Sequence, residues 1–145
     1  MRQCDPTHLA LRPFASDDVV FAVPDDGVPR KVSLGGAGRI EQSPVLTLYL
    51  PADWGWRIGG DLTVNLLPAA RWPKGRDTQA PEDKVVFHYE PSGSIRPARI
   101  AEARIAFECR VVAAGPLASL DGTTHVVVAQ VLTAHQRWPR GCAIA

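Results

Sequence analysis

Along residues 104–111 the side chains alternate. Ile105, Phe107, Cys109 and Val111 fall on one side, Arg104, Glu108 and Arg110 on the other, with Ala106 between them. A period of two puts successive side chains on opposite faces of an extended chain, so this stretch predicts a strand with one face buried. Residues 123–135 are rich in β-branched residues but alternate poorly, because Val126, Val127, Val128, Val131 and Leu132 fall on both faces. Such a strand is expected to be covered on both sides. The two segments are joined through Gly115-Pro116 and Asp121-Gly122, which predicts antiparallel neighbours with a moderately long connection.

The same pattern, read from the N-terminus, places further short strands. After an irregular start, residues 18–23 are an apolar run, and Pro24-Asp-Asp-Gly27 is a turn signal because Asp-Gly tolerates positive φ. Residues 28–34 then return as the second strand of a hairpin. Glycines 35, 36 and 38 are dense enough to predict a loop or a bulge where the backbone passes close to something. Residues 45–50 and 61–67 read as strands, 84–89 as a strand candidate, and 91–94 as a turn. Between Pro68 and Pro81 the periodicity is lost, which predicts a surface loop with a short helical turn near residues 69–72. Residues 136–145 read as a terminal arm that packs on a partner subunit. Thirteen prolines and twelve glycines, scattered along the chain, favour a barrel or sandwich over a helical bundle.

Composition narrows the class. A chain of 145 residues suffices for one domain with a single core. The formal charge of +1, with both signs spread along the chain, gives no sequence-wide field for nucleic acid or a membrane surface. No run approaches the ~18 apolar residues of a membrane span. Arg2, Asp5, His8 and Pro13 interrupt the start where a secretory leader needs an apolar core, so a cytoplasmic protein is expected. Three cysteines at no metal-ligand spacing suit a reducing compartment.

His125 and His135 lie ten positions apart in one predicted strand, about 33 Å at ~3.3 Å per residue, and cannot share a metal. No metal site is expected. Cys109 shares the apolar side of its strand and reads as an inert buried thiol. The glycine-dense segment is either a flexible connection or a loop whose N–H groups receive a phosphate. It is followed by Pro44 and a strand, so it is neither a Walker loop nor a dinucleotide fingerprint. Trp54 and Trp56 flank a glycine and project to one side, as a lid on the core or as an aromatic wall for a planar ligand, with Arg57 beside them for a phosphate. Arg39, Arg96 and Arg99 are further phosphate candidates. Aromatic and basic residues near loops suit a planar anionic ligand better than unaided acid–base chemistry.

Two stretches carry a family resemblance. The order P-x-R-I-A-E-A-x-I-A-F-E-C-R-V-V over residues 97–112, then H-V-V-V-A-Q-V-L-T-A-H over 125–135, resembles the C-terminal half of flavin reductase-like proteins with the FMN-binding split barrel. Glu108-Cys109, preceded by Arg99-Ile-Ala-Glu102, is its most specific part. Ser43-Pro44 before residues 45–50 resembles the S-x-x-P-P ending of the family's flavin-holding segment. Residues 61–67 resemble its F-x-V-N-L-L strand, in which Asn65 is expected to be structural. The resemblance implies a mainly β protein, a Greek-key split β-barrel of about six strands with few short helices, formed by residues 1–145 as one domain. It implies an NAD(P)H-dependent oxidoreductase that reduces flavin, with FMN or FAD as cofactor, acting as a homodimer. Cofactor contacts are then expected from Ser33, Gly35, Gly36, Arg39, Ser43, Trp54, Trp56, Arg57 and Arg99. His135, at the end of the last strand, is the expected catalytic residue at the nicotinamide or flavin edge. The alternative is a flavin-independent β-barrel, either a small-molecule binding protein or a cofactor-free biosynthetic enzyme with a cavity lined by Trp54, Trp56 and the Trp72 loop.

Overall fold

The computed structural model describes residues 2–4, 19–51, 56–68, 87–116 and 124–136. Within them run nine strands: β1 (Arg2–Cys4), β2 (Val19–Pro24), β3 (Arg30–Ile40), β4 (Ser43–Pro51), β5 (Asp61–Leu67), β6 (Tyr89–Glu90), β7 (Arg99–Ile100), β8 (Ile105–Pro116) and β9 (Thr124–Gln136). Six of these close a barrel in the order β9-β4-β3-β2-β5-β8, with β8 pairing again to β9. All six junctions are antiparallel. β2, β3 and β4 follow one another as a meander and β5 returns beside β2, which is the Greek-key connection the resemblance implies. The barrel is split along β9. Its first half pairs with β4, from Thr124 opposite Pro51 to Gln130 opposite Val45, and Ala134 to Gln136 pair with β1 instead.

Local chemistry explains the turns. Gly27 sits at φ 76° and its N–H donates to the Pro24 carbonyl at 3.0 Å, closing the β2–β3 turn expected from Asp-Gly. Asp26 reinforces it by accepting the Val28 N–H at 2.9 Å and pairing with Arg30 at 3.0 Å. β3 runs past the expected residue 34, to Ile40. Residues 36–39 pair in register with β4, so the segment is neither a flexible connection nor a phosphate-receiving loop. The bulge expected from the glycines does occur, between Leu34 and Gly36. β3 and β4 are joined by two residues, Glu41 at φ 49° and Gln42 at φ 69°, the handedness that matches the twist of a two-residue hairpin. No described residue is helical, and the expected helical turn at 69–72, most of the 68–81 loop and the 137–145 arm lie outside the described residues.

The alternating positions of β8 face inward as expected. Ile105, Phe107, Cys109 and Val111 meet Val127, Ala129, Val131 and Ala134 of β9 and Leu46, Leu48 and Leu50 of β4 inside the barrel. Burying one Leu or Phe side chain contributes ~1.5–3 kcal/mol. The outer face of β2, β5 and β8 is also covered, by a strap formed by residues 87–104. Ile100 and Ala103 of the strap are fully buried with Phe21, Val23, Leu67 and Ala106, and Phe87 meets Phe21 edge-on at 5.1 Å. Asn65 fastens it: the Ile100 N–H donates to Oδ1 at 2.9 Å, while Nδ2 donates to the Phe21 carbonyl at 3.2 Å. Thr63 Oγ1 donates to the Ala98 carbonyl at 2.7 Å. The strap is why Glu108, on the polar side of β8, is nonetheless fully buried. No helix among the described residues is long and apolar enough to cross a membrane.

Candidate functional site

Three places gather the residues singled out above. The first is the barrel end at Pro51. Gly59, at φ 85°, donates its N–H to the Val111 carbonyl at 2.8 Å, and the Val111 N–H donates to the Gly60 carbonyl at 2.9 Å. These bonds stitch residues 56–60 to β8 and lay Trp56 across the barrel mouth, half-buried against the interior cluster and 5.2 Å from the His125 ring. Trp56 is therefore a lid on the core. Its Nε1 and the Nδ1 of His125 are both buried without a hydrogen-bond partner. Leaving such groups unbonded costs about 1–3 kcal/mol each, which marks them for explanation. Beside Trp56 opens a pocket of about 300 Å³, floored by Trp56, Leu62 and Val111 and rimmed by Asp25, Asp26, Arg57 and Asp61. Its charges are largely compensated, since Asp61 pairs with Arg110 at 3.1 Å and Asp26 with Arg30. Partial burial opposes ionisation of Asp26, but the Val28 N–H and the Arg30 guanidinium outweigh it and hold the carboxyl below its ordinary value.

The second place is the outer wall of β3 and β4. Leu34 and Ala37 pack on the interior cluster, so Ser33 and Gly36 take the outer side, opposite Tyr49 and Thr47. At the bulge the Tyr49 ring lies on Gly35. A Cβ there would stand 2.5 Å from Cε2 and 2.8 Å from Cζ. A Cβ on Gly36, next to the bulge, or on Gly38, opposite Val45, would meet nothing within 4 Å. Arg39 and Ser43 lie at the far end of the same strands, where Arg39 Nη1 donates to the Gln42 carbonyl at 3.1 Å. From Pro44 to Pro51 β4 advances about 23 Å at ~3.3 Å per residue. One chain therefore does not bring Arg39 and Ser43 together with Trp56 and Arg57.

The third place lies under the strap. Glu108 accepts the Gly93 N–H at 2.9 Å, the Ser94 N–H at 2.7 Å, the Ser94 hydroxyl at 2.7 Å, and Nε2 of His135. Burial alone would raise the Glu108 carboxyl, but these donors hold it down at about 2. Burial pulls His135 below its ordinary value, outweighing the Glu108 carboxylate that pulls it up. An ionised Glu108 beside a neutral imidazole places the shared proton on Nε2. His135 is thus 4% exposed and tethered. Arg99 is buried beside it, paired with Glu90 at 3.2 Å and donating to the Pro91 carbonyl at 3.2 Å. Trp54 lies outside the described residues. Cys109 is fully buried, and its thiol is pushed far up by burial and by the Glu108 charge. Among the described residues no group of three or more His, Cys, Asp or Glu side chains is placed to hold a metal.

The structure adds Tyr49 to these places, and puts His125, read from the sequence only as an unlikely metal ligand, at the barrel mouth. Tyr49 carried a signal, as an aromatic on the polar side of its strand shortly before the Pro51 break. His125 carried none beyond its place at the start of a β-branched run.

No model of a known protein family matches this sequence, and no curated protein matches it either. Solved structures do match in shape. Component B of nitrilotriacetate monooxygenase from Bacillus cereus superposes with a TM-score of 0.60 at 17% identity, covering 86% of this chain and 72% of its own. An NADH:FAD oxidoreductase from Streptomyces globisporus gives 0.58 at 16%, over 86% and 77% of the two chains. Flavoredoxin from Methanosarcina acetivorans gives 0.60 at 16%, over 88% and 75%. The fold is the split barrel that flavin reductases share.

Proposed function

We propose that this chain is a flavin reductase-type oxidoreductase that binds FMN or FAD and reduces it with NAD(P)H. The observation that carries the reading is the fold, matched over most of the chain by proteins named as flavin reductases or NADH:FAD oxidoreductases. A flavin reductase solved with NADP+ has the same shape, so both nicotinamide nucleotides occur among such proteins. The residues present fit a flavin. At Gly36 a Cβ would occupy open space on the outer wall that a flat ring can use instead, with Thr47 opposite and Ser33 and Tyr49 next along the strands. Bound there, a flavin supplies acceptance of a hydride from the reduced nicotinamide.

The chain's own residues orient and enclose. Arg57 at the pocket rim offers a charge to a phosphate, and the unbonded nitrogens of Trp56 and His125 would offer hydrogen bonds to a nicotinamide nucleotide that displaces the Trp56 lid. The imidazole at the nicotinamide edge is assigned to His125 at this mouth rather than to His135, which is buried and bound to Glu108. His135 and Arg99 support the strap from behind. A homodimer completes the site. In a two-fold contact made across β3 and β4, the Arg39 and Ser43 end of one copy faces the Trp56 and Arg57 end of the other. A cytoplasmic location accords with the buried, reduced Cys109.

The test is an absorbance spectrum of the purified protein with and without added FMN and FAD, followed by oxidation of NADH and NADPH in the presence of each flavin. Flavin quenching with nucleotide oxidation is expected. A colourless protein that oxidises neither nucleotide defeats the reading in favour of the flavin-independent barrel.

A further inference from the structure

We infer that Tyr49 is the specificity-determining residue of the outer wall, the side chain against which a planar heteroaromatic ring packs, and that Gly35 exists to let it stand there. The inference rests on the flavin reading above and names the residue that makes it selective. Tyr49 faces outward on β4, opposite Ser33 of β3 and opposite Val126 of β9. Its ring is half-buried, with its far end resting on the bulge at Gly35. The bulge and the ring are one device. An extra residue in β3 brings its backbone up under the phenol, and only a residue without Cβ leaves the room.

What the device accepts follows from its shape. Beside the ring Gly36, opposite Thr47, carries no side chain and a Cβ there would meet nothing within 4 Å, so a flat group can reach van der Waals distance of the peptide plane. Thr47, the next outward residue of β4, supplies a hydroxyl at the margin. An aromatic wall over a bare strip favours a planar, conjugated ligand over a branched aliphatic one, because face-to-face and edge contacts with the ring add to simple burial. Isoalloxazine has that shape.

Tyr49→Ala, Tyr49→Phe and Gly35→Ala test this with two readouts: FMN affinity from fluorescence quenching, and the separate KM values for flavin and for nicotinamide. Tyr49→Ala is expected to weaken flavin binding about three- to tenfold. Tyr49→Phe should restore it, and the nicotinamide KM should stay put. Gly35→Ala is the independent arm. Its clash is with the far end of the Tyr49 side chain, so the ring moves while the strand holds, and flavin binding should fall with no change in Tyr49 itself. Thermal melting of each variant separates loss of the ring from loss of the fold. If the parent protein binds flavin and both Tyr49→Ala and Gly35→Ala bind it equally well, the inference is overturned while the flavin reading stands. If the parent binds no flavin, the reading itself fails and takes the inference with it.

Discussion

Glu108 of β8 and His135 of β9 face each other on the outside of the barrel, beneath the strap, with the imidazole Nε2–H donated to a carboxylate that is fully buried. The same carboxylate accepts two consecutive backbone N–H groups, those of Gly93 and Ser94. One side chain therefore joins two barrel strands to the segment that covers them.

Removing that carboxylate leaves several buried donors unbonded. Glu108→Ala is expected to destabilise the fold by about 3–5 kcal/mol, and Glu108→Gln, which keeps the shape and one acceptor, by less. Urea unfolding measures both. Loss of under 1 kcal/mol in the alanine variant contradicts the clamp.

The pair also sets an acid limit. Glu108 is held at about 2 in the folded state against an ordinary 4.5, so its contribution is complete above 4.5 and is lost as pH falls towards 2. His135 lies below its ordinary 6.5, so folding disfavours its protonation, and stability declines as pH drops below 6.5. Both effects have the same sign. Melting temperature followed from neutral to acid pH should fall in two stages, and Glu108→Gln should remove the lower one.

The β3–β4 turn carries strain that can be relieved. Glu41 and Gln42 both hold positive φ without being glycine. Replacing the pair by Asn-Gly, which this turn type prefers, should stabilise the protein by about 1 kcal/mol. An unchanged urea midpoint counts against that assignment.

Much of the barrel was legible in the sequence, for identifiable reasons. The Asp-Gly turn at residue 27, the alternation of β8 and the β-branched run of β9 are local signals, and each fixed an element. The glycines of β3 misled, because a run of residues without side chains reads the same whether the backbone is looped or paired. Pairing was decided by β4, through partners such as Thr47 and Tyr49 that no local pattern announces. The site was less legible still. Arg99 reads as a phosphate candidate, yet it is buried against Glu90, and Glu108 falls on the polar side of its strand, yet residues 87–104 bury it. Those facts depend on which segment covers which face, and that is set by contacts between residues far apart in the chain.

Cys109 should resist alkylation. Its thiol lies inside the barrel, with burial and the neighbouring Glu108 charge both opposing the thiolate that reacts. Iodoacetamide treatment followed by peptide mass spectrometry should leave Cys109 unmodified in the native protein and modified in urea. Native labelling at this position contradicts an interior thiol.

At the barrel mouth, function and stability should move in opposite directions. His125 packs its ring on Trp56 but buries Nδ1 without a partner, a defect that a purely structural side chain would not need. Phenylalanine keeps the ring contact and removes the unbonded nitrogen, so His125→Phe should leave stability unchanged or raise it by about 1 kcal/mol. If the nitrogen is held for a nicotinamide nucleotide, the same variant should raise the NADH KM about tenfold, the worth of one lost hydrogen bond, while flavin affinity stays constant. Steady-state kinetics and urea unfolding on one preparation decide the matter. A variant that is less stable and kinetically normal makes His125 a packing residue, and moves the nicotinamide contact away from the mouth.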